Sequence, residues 1–225
     1  MLLQALFPAR CTGCGTVADG LCSRCQVDLR PAPSAPPPPG VDWWVAPFAY
    51  EGSLREVLAR AKYRNARSGL AWLASAVATS ASRQAASGGR HLDTVTWPPT
   101  TDARRRQRGF DQAEHLARAI ARRLDLPARP LLARRPGPPQ TGRSRADRHR
   151  GPIFVSRPVA GAHLLLVDDV ATTGATLGSA AAALREAGAA SVTAATVART
   201  PRRQPPCPVC PKSAQASGRA RRYQG

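Results

Sequence analysis

An α/β domain with a mostly parallel sheet flanked by helices is predicted over residues 41–199, preceded by a small four-cysteine module at 1–30. Three observations predict it. Short apolar, β-like runs alternate with longer helical patterns from Val41 onward, which is how a parallel sheet with crossover helices reads. Residues 163–197 pass from an apolar run through a small, hydroxyl-rich turn and a helical pattern into a second apolar run, a βαβ unit. Cys11, Cys14, Cys22 and Cys25 form two CxxC pairs separated by seven residues.

At 225 residues the chain can bury one substantial core plus a small module, which excludes a large multidomain enzyme. No apolar run approaches the roughly 20 residues that span a bilayer. The start, residues 1–10, lacks the basic and long apolar regions of a signal peptide, so the cytoplasm is the expected compartment. There, cysteines are thiols or metal ligands rather than disulfides.

In chain order, each CxxC pair can present two thiolates from one tight knuckle, with Gly13 and Gly15 easing the turn, and four such ligands complete a tetrahedral Zn²⁺ site. A module of this size folds only around its metal. Redox thiols are the alternative. Cys207 and Cys210 lack a second pair and read as a chance pair. Residues 31–40 are Pro-rich, favour extended polyproline, and mark a linker.

Within the domain, residues 111–124 place apolar side chains at 113, 116, 117, 120, 121 and 124, with Asp111 as N-cap and Glu114 at N3, an amphipathic helix. Residues 163–169 form an apolar run ending in two acids, a buried parallel strand whose carboxyl end leaves the core. A helix is expected from Ala175 to Gly188, where glycine suits a left-handed C-terminal residue, and a strand over 191–197. Residues 200–225 are basic, Pro-rich and nearly free of large apolar side chains; a disordered tail is expected. The four histidines, at 91, 115, 149 and 163, show no ligand spacing, and Trp43, Trp44 and Trp72 read as core or interface aromatics.

The net charge is +19, and Lys62 and Lys212 are the only lysines. Residues 101–150 carry 14 arginines against five acids, and 199–225 carry seven cations and no acid. Part of this reflects a general Arg, Ala and Pro bias. Clustered positive charge favours phosphate-bearing partners, whether nucleotide, pyrophosphate or nucleic acid, without choosing among them.

The segment Asp168-Asp169-Val170-Ala171-Thr172-Thr173-Gly174-Ala175-Thr176 carries the strongest chemical signal. Backbone N–H groups of 172–176, the glycine and the positive end of the following helix make a phosphate pocket to which threonine hydroxyls add donors. Asp168 and Asp169 can accept hydrogen bonds from ribose hydroxyls and help hold hydrated Mg²⁺. The site falls at the carboxyl end of a parallel strand, where open α/β sheets bind ligands. The alternative is an Asp pair that merely caps a turn.

This segment resembles the phosphoribosyl-pyrophosphate (PRPP) motif of type I phosphoribosyltransferases. Over roughly residues 1–199 the chain is similar to the ComF family, which joins a small N-terminal zinc finger to such a domain. The likeness rests on the cysteine module, Tyr50-Glu51-Gly52 with Ala61-Lys62-Tyr63, Arg108-Gly109-Phe110-Asp111-Gln112, and the Asp-Asp to Thr-Thr-Gly loop. Trp97-Pro98-Pro99-Thr100 stands where the family carries a Pro-Val-Pro-type turn, Asp111 where it carries Asn, and Gly151-Pro152 where Asn-Val is common.

The resemblance implies PRPP bound with Mg²⁺, its 5′-phosphate on 172–176 and its ribose hydroxyls on Asp168 and Asp169, with displacement at C1′. Arg104, Arg105, Arg106, Arg108 and Lys62 are the candidates for the pyrophosphate side; a solvated arginine run is the alternative. Three functions follow: a phosphoribosyltransferase for an unknown acceptor, a competence protein handling single-stranded DNA beside a helicase, or a PRPP-sensing regulator.

Overall fold

The computed structural model describes residues 9–63, 67–135 and 152–201, excluding the side chains of 62, 63, 67, 68 and 108. In chain order the elements are α1 (Ser23–Val27), β1 (Trp43–Val45), β2 (Phe48–Ala49), α2 (Gly52–Tyr63), α3 (Arg67–Ser87), β3 (Thr94–Thr96), α4 (Asp102–Arg108), α5 (Gln112–Leu124), β4 (Leu132–Arg134), β5 (Phe154–Ser156), β6 (His163–Ala171), α6 (Ala175–Glu186) and β7 (Ser191–Arg199). The basic tail beyond residue 201, with Cys207 and Cys210, and the segment 136–151 lie outside the described residues.

The main sheet runs β1-β7-β6-β3, and β2 also pairs with β7. Every pairing in it is parallel. β4 and β5 form a separate antiparallel pair. The apolar run of β6 is continuous because both faces are covered: Leu165 and Val167 enter one core with α3 and α5, while Leu164 and Leu166 enter the other with α6. All four are fully buried, and each contributes on the order of 1.5–3 kcal/mol.

The predicted α5 is present at Gln112–Leu124, with Asp111 as N-cap accepting from the N–H groups of Ala113 and Glu114. Glu114 departs from a capping box: its side chain pairs with Arg118 and Arg105 instead of reaching back to the N-cap. The strand expected over 163–169 continues to Ala171, because its ladder with β7 extends to Arg199. Gly188, at φ 99°, takes the left-handed conformation after α6.

Two carboxylates set the strand starts. Asp42 accepts from the Val192 N–H at 2.7 Å and pairs with Arg185 of α6, joining β1, β7 and α6. Asp93 accepts from the His163 N–H at 2.7 Å while its own N–H donates to the His163 carbonyl at 2.8 Å. That backbone donor, with His91 and His163 nearby, holds the Asp93 carboxyl below its ordinary 3.8. A depressed folded-state value contributes stability above the unfolded value that is lost as pH falls through the folded one. The stability difference between wild type and Asp93→Asn should therefore be largest near about pH 5 and shrink as pH falls below about 4. Urea unfolding at stepped pH reads this, and a pH-independent difference would refute it.

The cysteine module and the Pro-rich stretch both lie against the domain. Cys11, Leu21, Cys25 and Leu29 join Leu54, Val57 and Leu58 of α2 in one continuous core. Arg60 of α2 donates to the Gly13 carbonyl, and Thr12 leaves no room for a Cβ at Gly69 of α3. Within 31–40, the stretch read as a linker, Pro38 packs so closely on Gly174 that a Cβ there would sit 2.8 Å from its ring, and Pro39 lies over Gly178. No helix among the described residues is long and apolar enough to cross a membrane.

Candidate functional site

β6 runs to Ala171, and the chain then turns through Gly174, at φ 77°, into α6. Glycine is required there twice over, by the left-handed backbone and by the approach of Pro38. As a glycine, the N-cap of α6 supplies no side-chain acceptor. Thr173 Oγ1 accepts from the Ala175 N–H at 3.3 Å, while the N–H groups that follow lie at the positive helix end. Asp168 and Asp169 are half-buried, and each accepts from the next backbone N–H at 2.8 Å.

A cavity of ≈ 340 Å³ opens beside them. Asp168, Asp169, Val170 and Thr176 form one wall; Pro98, Pro99 and Thr100 form a second; Arg104 and Arg134 supply cations. Carboxylates and guanidiniums thus share one solvent-open space large enough for a sugar phosphate. The residues predicted to meet a phosphoribosyl group divide among several places. Thr173 lines a second cavity, Thr172 is exposed, Ala175 is half-buried, Gly174 is covered by Pro38, and Ala171 is buried in the core that includes α6.

The arginine run forms a short helix, α4, with Thr101 as N-cap and Gly109 closing it in the left-handed conformation. Only Arg104 of its described arginine side chains lines the cavity. Arg105 turns to Asp111 and Glu114 at 3.7 and 3.8 Å, and Arg106 points to solvent. The side chains of Lys62 and Arg108 lie outside the described residues.

Asp111, in the position where the resembled family carries Asn, ties this wall together. Its Oδ1 caps α5, and its Oδ2 accepts from the Thr100 N–H at 2.8 Å, pinning the Pro98–Thr100 turn to the helix start. A carboxylate does both jobs because it can accept from three N–H groups at once.

Arg134 and Gln112 are cavity residues that sequence reasoning missed. Burial, and then the like charge of Arg104, lowers the Arg134 pKa, so two guanidiniums face the same space. Such a pair suits a polyanion. Gln112 is 5% exposed, and neither its amide nitrogen nor its oxygen has a hydrogen-bond partner. A buried amide lining a ligand cavity is a polar group in want of a ligand or water. The apolar moment of α5 gave no sign of it.

At the N-terminal end, the four cysteine Sγ atoms all lie within 4.8 Å of one another, and Cys14 and Cys22 Sγ are 3.5 Å apart. Zn–S bonds of about 2.3 Å need a tetrahedral edge of about 3.8 Å, so the residues fit that metal. Burial pushes the Cys11 thiol up, but the N–H groups of Cys22, Cys14 and Gly13 outweigh it and hold the thiol at about 6. Burial, then the three neighbouring sulfurs, pushes Cys25 up. Thr16, through its hydroxyl and then its N–H, lowers Cys14. A cation relieves exactly this crowding of sulfur charge.

Residues 111–214 match the family described as "Phosphoribosyl transferase domain". None of the curated proteins matches. Among solved structures, the chain is similar to the allosteric regulatory enzyme of purine biosynthesis, at 20% identity and TM-score 0.37, over 58% of this chain and 25% of that one. It is similar also to glutamine phosphoribosylpyrophosphate amidotransferase from B. subtilis complexed with ADP and GMP, at 21% identity and TM-score 0.39, over 57% of this chain and 26% of that one. The chain therefore spans about a quarter of the length of these structures. On a mostly parallel sheet flanked by helices, with a four-cysteine cluster ahead of it, residues 111–214 of this chain match a phosphoribosyl transferase domain.

Proposed function

We propose that the protein binds Mg²⁺-PRPP in the cavity of Asp168 and Asp169 and transfers the phosphoribosyl group to an acceptor, in a cytoplasmic setting. The observation that carries this reading is the opposition of two carboxylates to Arg104 and Arg134 across ≈ 340 Å³. Breaking the C1′–O bond sends an electron pair onto the departing pyrophosphate and leaves oxocarbenium character on the ribose, while the acceptor's lone pair forms the new bond at C1′. Asp168 and Asp169 hold the ribose hydroxyls and stabilise the positive charge. Arg104 and Arg134 meet the pyrophosphate oxygens, where paired guanidinium contacts are strong.

Thr176 and the first N–H groups of α6 receive the 5′-phosphate. Among the described residues the one cluster of three or more metal-ligating side chains is the four cysteines, so Mg²⁺ would ride on the pyrophosphate with at most two protein carboxylates, as that ion commonly does. When bound it neutralises the leaving group. The four cysteines hold structural Zn²⁺ in this reading.

The ComF family, single-stranded DNA and the competence helicase stand on the family resemblance; a PRPP-sensing regulator would keep the same sugar-phosphate site without turnover. Calorimetric titration of Mg²⁺-PRPP into the full chain tests the proposal. Saturable binding followed by pyrophosphate release with an acceptor is expected; no binding would overturn it.

A further inference from the structure

The second cavity, ≈ 400 Å³, lies on the other side of the phosphate loop, between β7, β1 and the Pro-rich arm. Thr173 lines it, whereas Thr176 lines the first, so the loop is shared by both. Its chemistry is set by Arg199 at the end of β7, which is 8% exposed. Among the described residues no carboxylate pairs with it. Its Nε has no hydrogen-bond partner, and Nη1 donates only to the Ala35 carbonyl at 3.5 Å. Beside it, the hydroxyl of Thr200 is buried and also unpartnered.

A buried guanidinium without a counter-charge is costly to keep, and desolvation already draws the Arg199 pKa below its ordinary value. The guanidinium carbon sits 5.0 Å from the ring centre of Trp44, whose Nε1 is anchored on Thr196 at 3.1 Å. This cation–π contact holds the guanidinium beside Trp44, and both side chains line the cavity. Pro33, Ala35, Trp44 and Pro201 give the rest of the lining its apolar surface, and Ser34 and Thr173 complete it. One buried cation, one spare buried hydroxyl and mainly apolar walls fit a small apolar molecule bearing an oxyanion.

We propose that this cavity takes a small carboxylic acid of apolar, aromatic-sized body, its carboxylate on Arg199 and Thr200. This binding does not rest on the phosphoribosyl-transfer reading.

Benzoate, its neutral counterpart benzamide, and Mg²⁺-PRPP are titrated into the full chain, singly and together. Benzoate should bind about tenfold or more tightly than benzamide, and Arg199→Gln should erase most of that preference. Should Arg199→Gln fail to fold, Ala35→Leu, which narrows the pocket from the arm, should weaken benzoate without lowering the unfolding midpoint. Equal binding of benzoate and benzamide, or benzoate binding indifferent to both variants, overturns the pocket. Displacement of benzoate by Mg²⁺-PRPP also overturns it, because Arg199 would then serve a PRPP phosphate. Arg199-dependent benzoate binding without any PRPP binding upholds the acid pocket and overturns the transfer reading. PRPP binding without benzoate binding overturns the pocket and leaves the transfer reading standing.

Discussion

Replacing both strand-end carboxylates, Asp168→Asn with Asp169→Asn, is expected to weaken Mg²⁺-PRPP binding by about two to four orders of magnitude. The magnitude follows from what each carboxylate does. A hydrogen bond to a charged group contributes about 1.5–3 kcal/mol, and two such acceptors facing ribose hydroxyls give about 3–6 kcal/mol. Asparagine keeps the size and one acceptor oxygen, so the fold should survive: the Asp169 and Val170 N–H groups, now held by carboxylate oxygens at 2.8 Å, retain an acceptor. Unfolding midpoints should therefore move little. Turnover should fall further than binding, because the positive charge at C1′ develops only in the transition state. A double variant that binds Mg²⁺-PRPP as wild type does would show that the two acids merely cap the turn.

How much of this was legible in sequence depends on range. α5 was readable because six apolar positions at helical spacing follow a capping acid, both local signals. So was β6, though its last two residues were not, since the ladder with Ala198 and Arg199 decides them. The packing of Pro38 on Gly174 had no local sign; a Pro-rich run reads as a linker whether or not something lies beneath it. Arg134 was hidden by abundance, as one arginine among many in a basic stretch. Arg199 was hidden for the opposite reason: it looked like the first cation of a solvated tail. Burial distinguishes it, and burial is set by the arm at residues 33–35, far away in the chain.

That same contact between arm, module and domain governs the expected outcome of removing zinc. Read as an isolated finger, the module would unfold alone on chelation. The structure places Cys11 and Cys25, 3% and 6% exposed, in one core with Leu54, Val57 and Leu58. Structural zinc contributes on the order of 10–16 kcal/mol to small sites, far above what two or three buried leucines can hold together without it. Loss of the metal should melt the knuckles at 11–25 and strip cover from α2 and α3, costing the domain about 2–4 kcal/mol of apolar burial. For a chain of this length that lowers the unfolding midpoint by roughly 5–15 °C. Chelator-treated protein and the Cys11→Ser/Cys14→Ser variant should show the same shift, with fast amide exchange at 11–25 and most helical signal retained. An unchanged midpoint would mean the module docks without supporting the domain, and freshly purified protein free of zinc would remove the metal from the argument altogether.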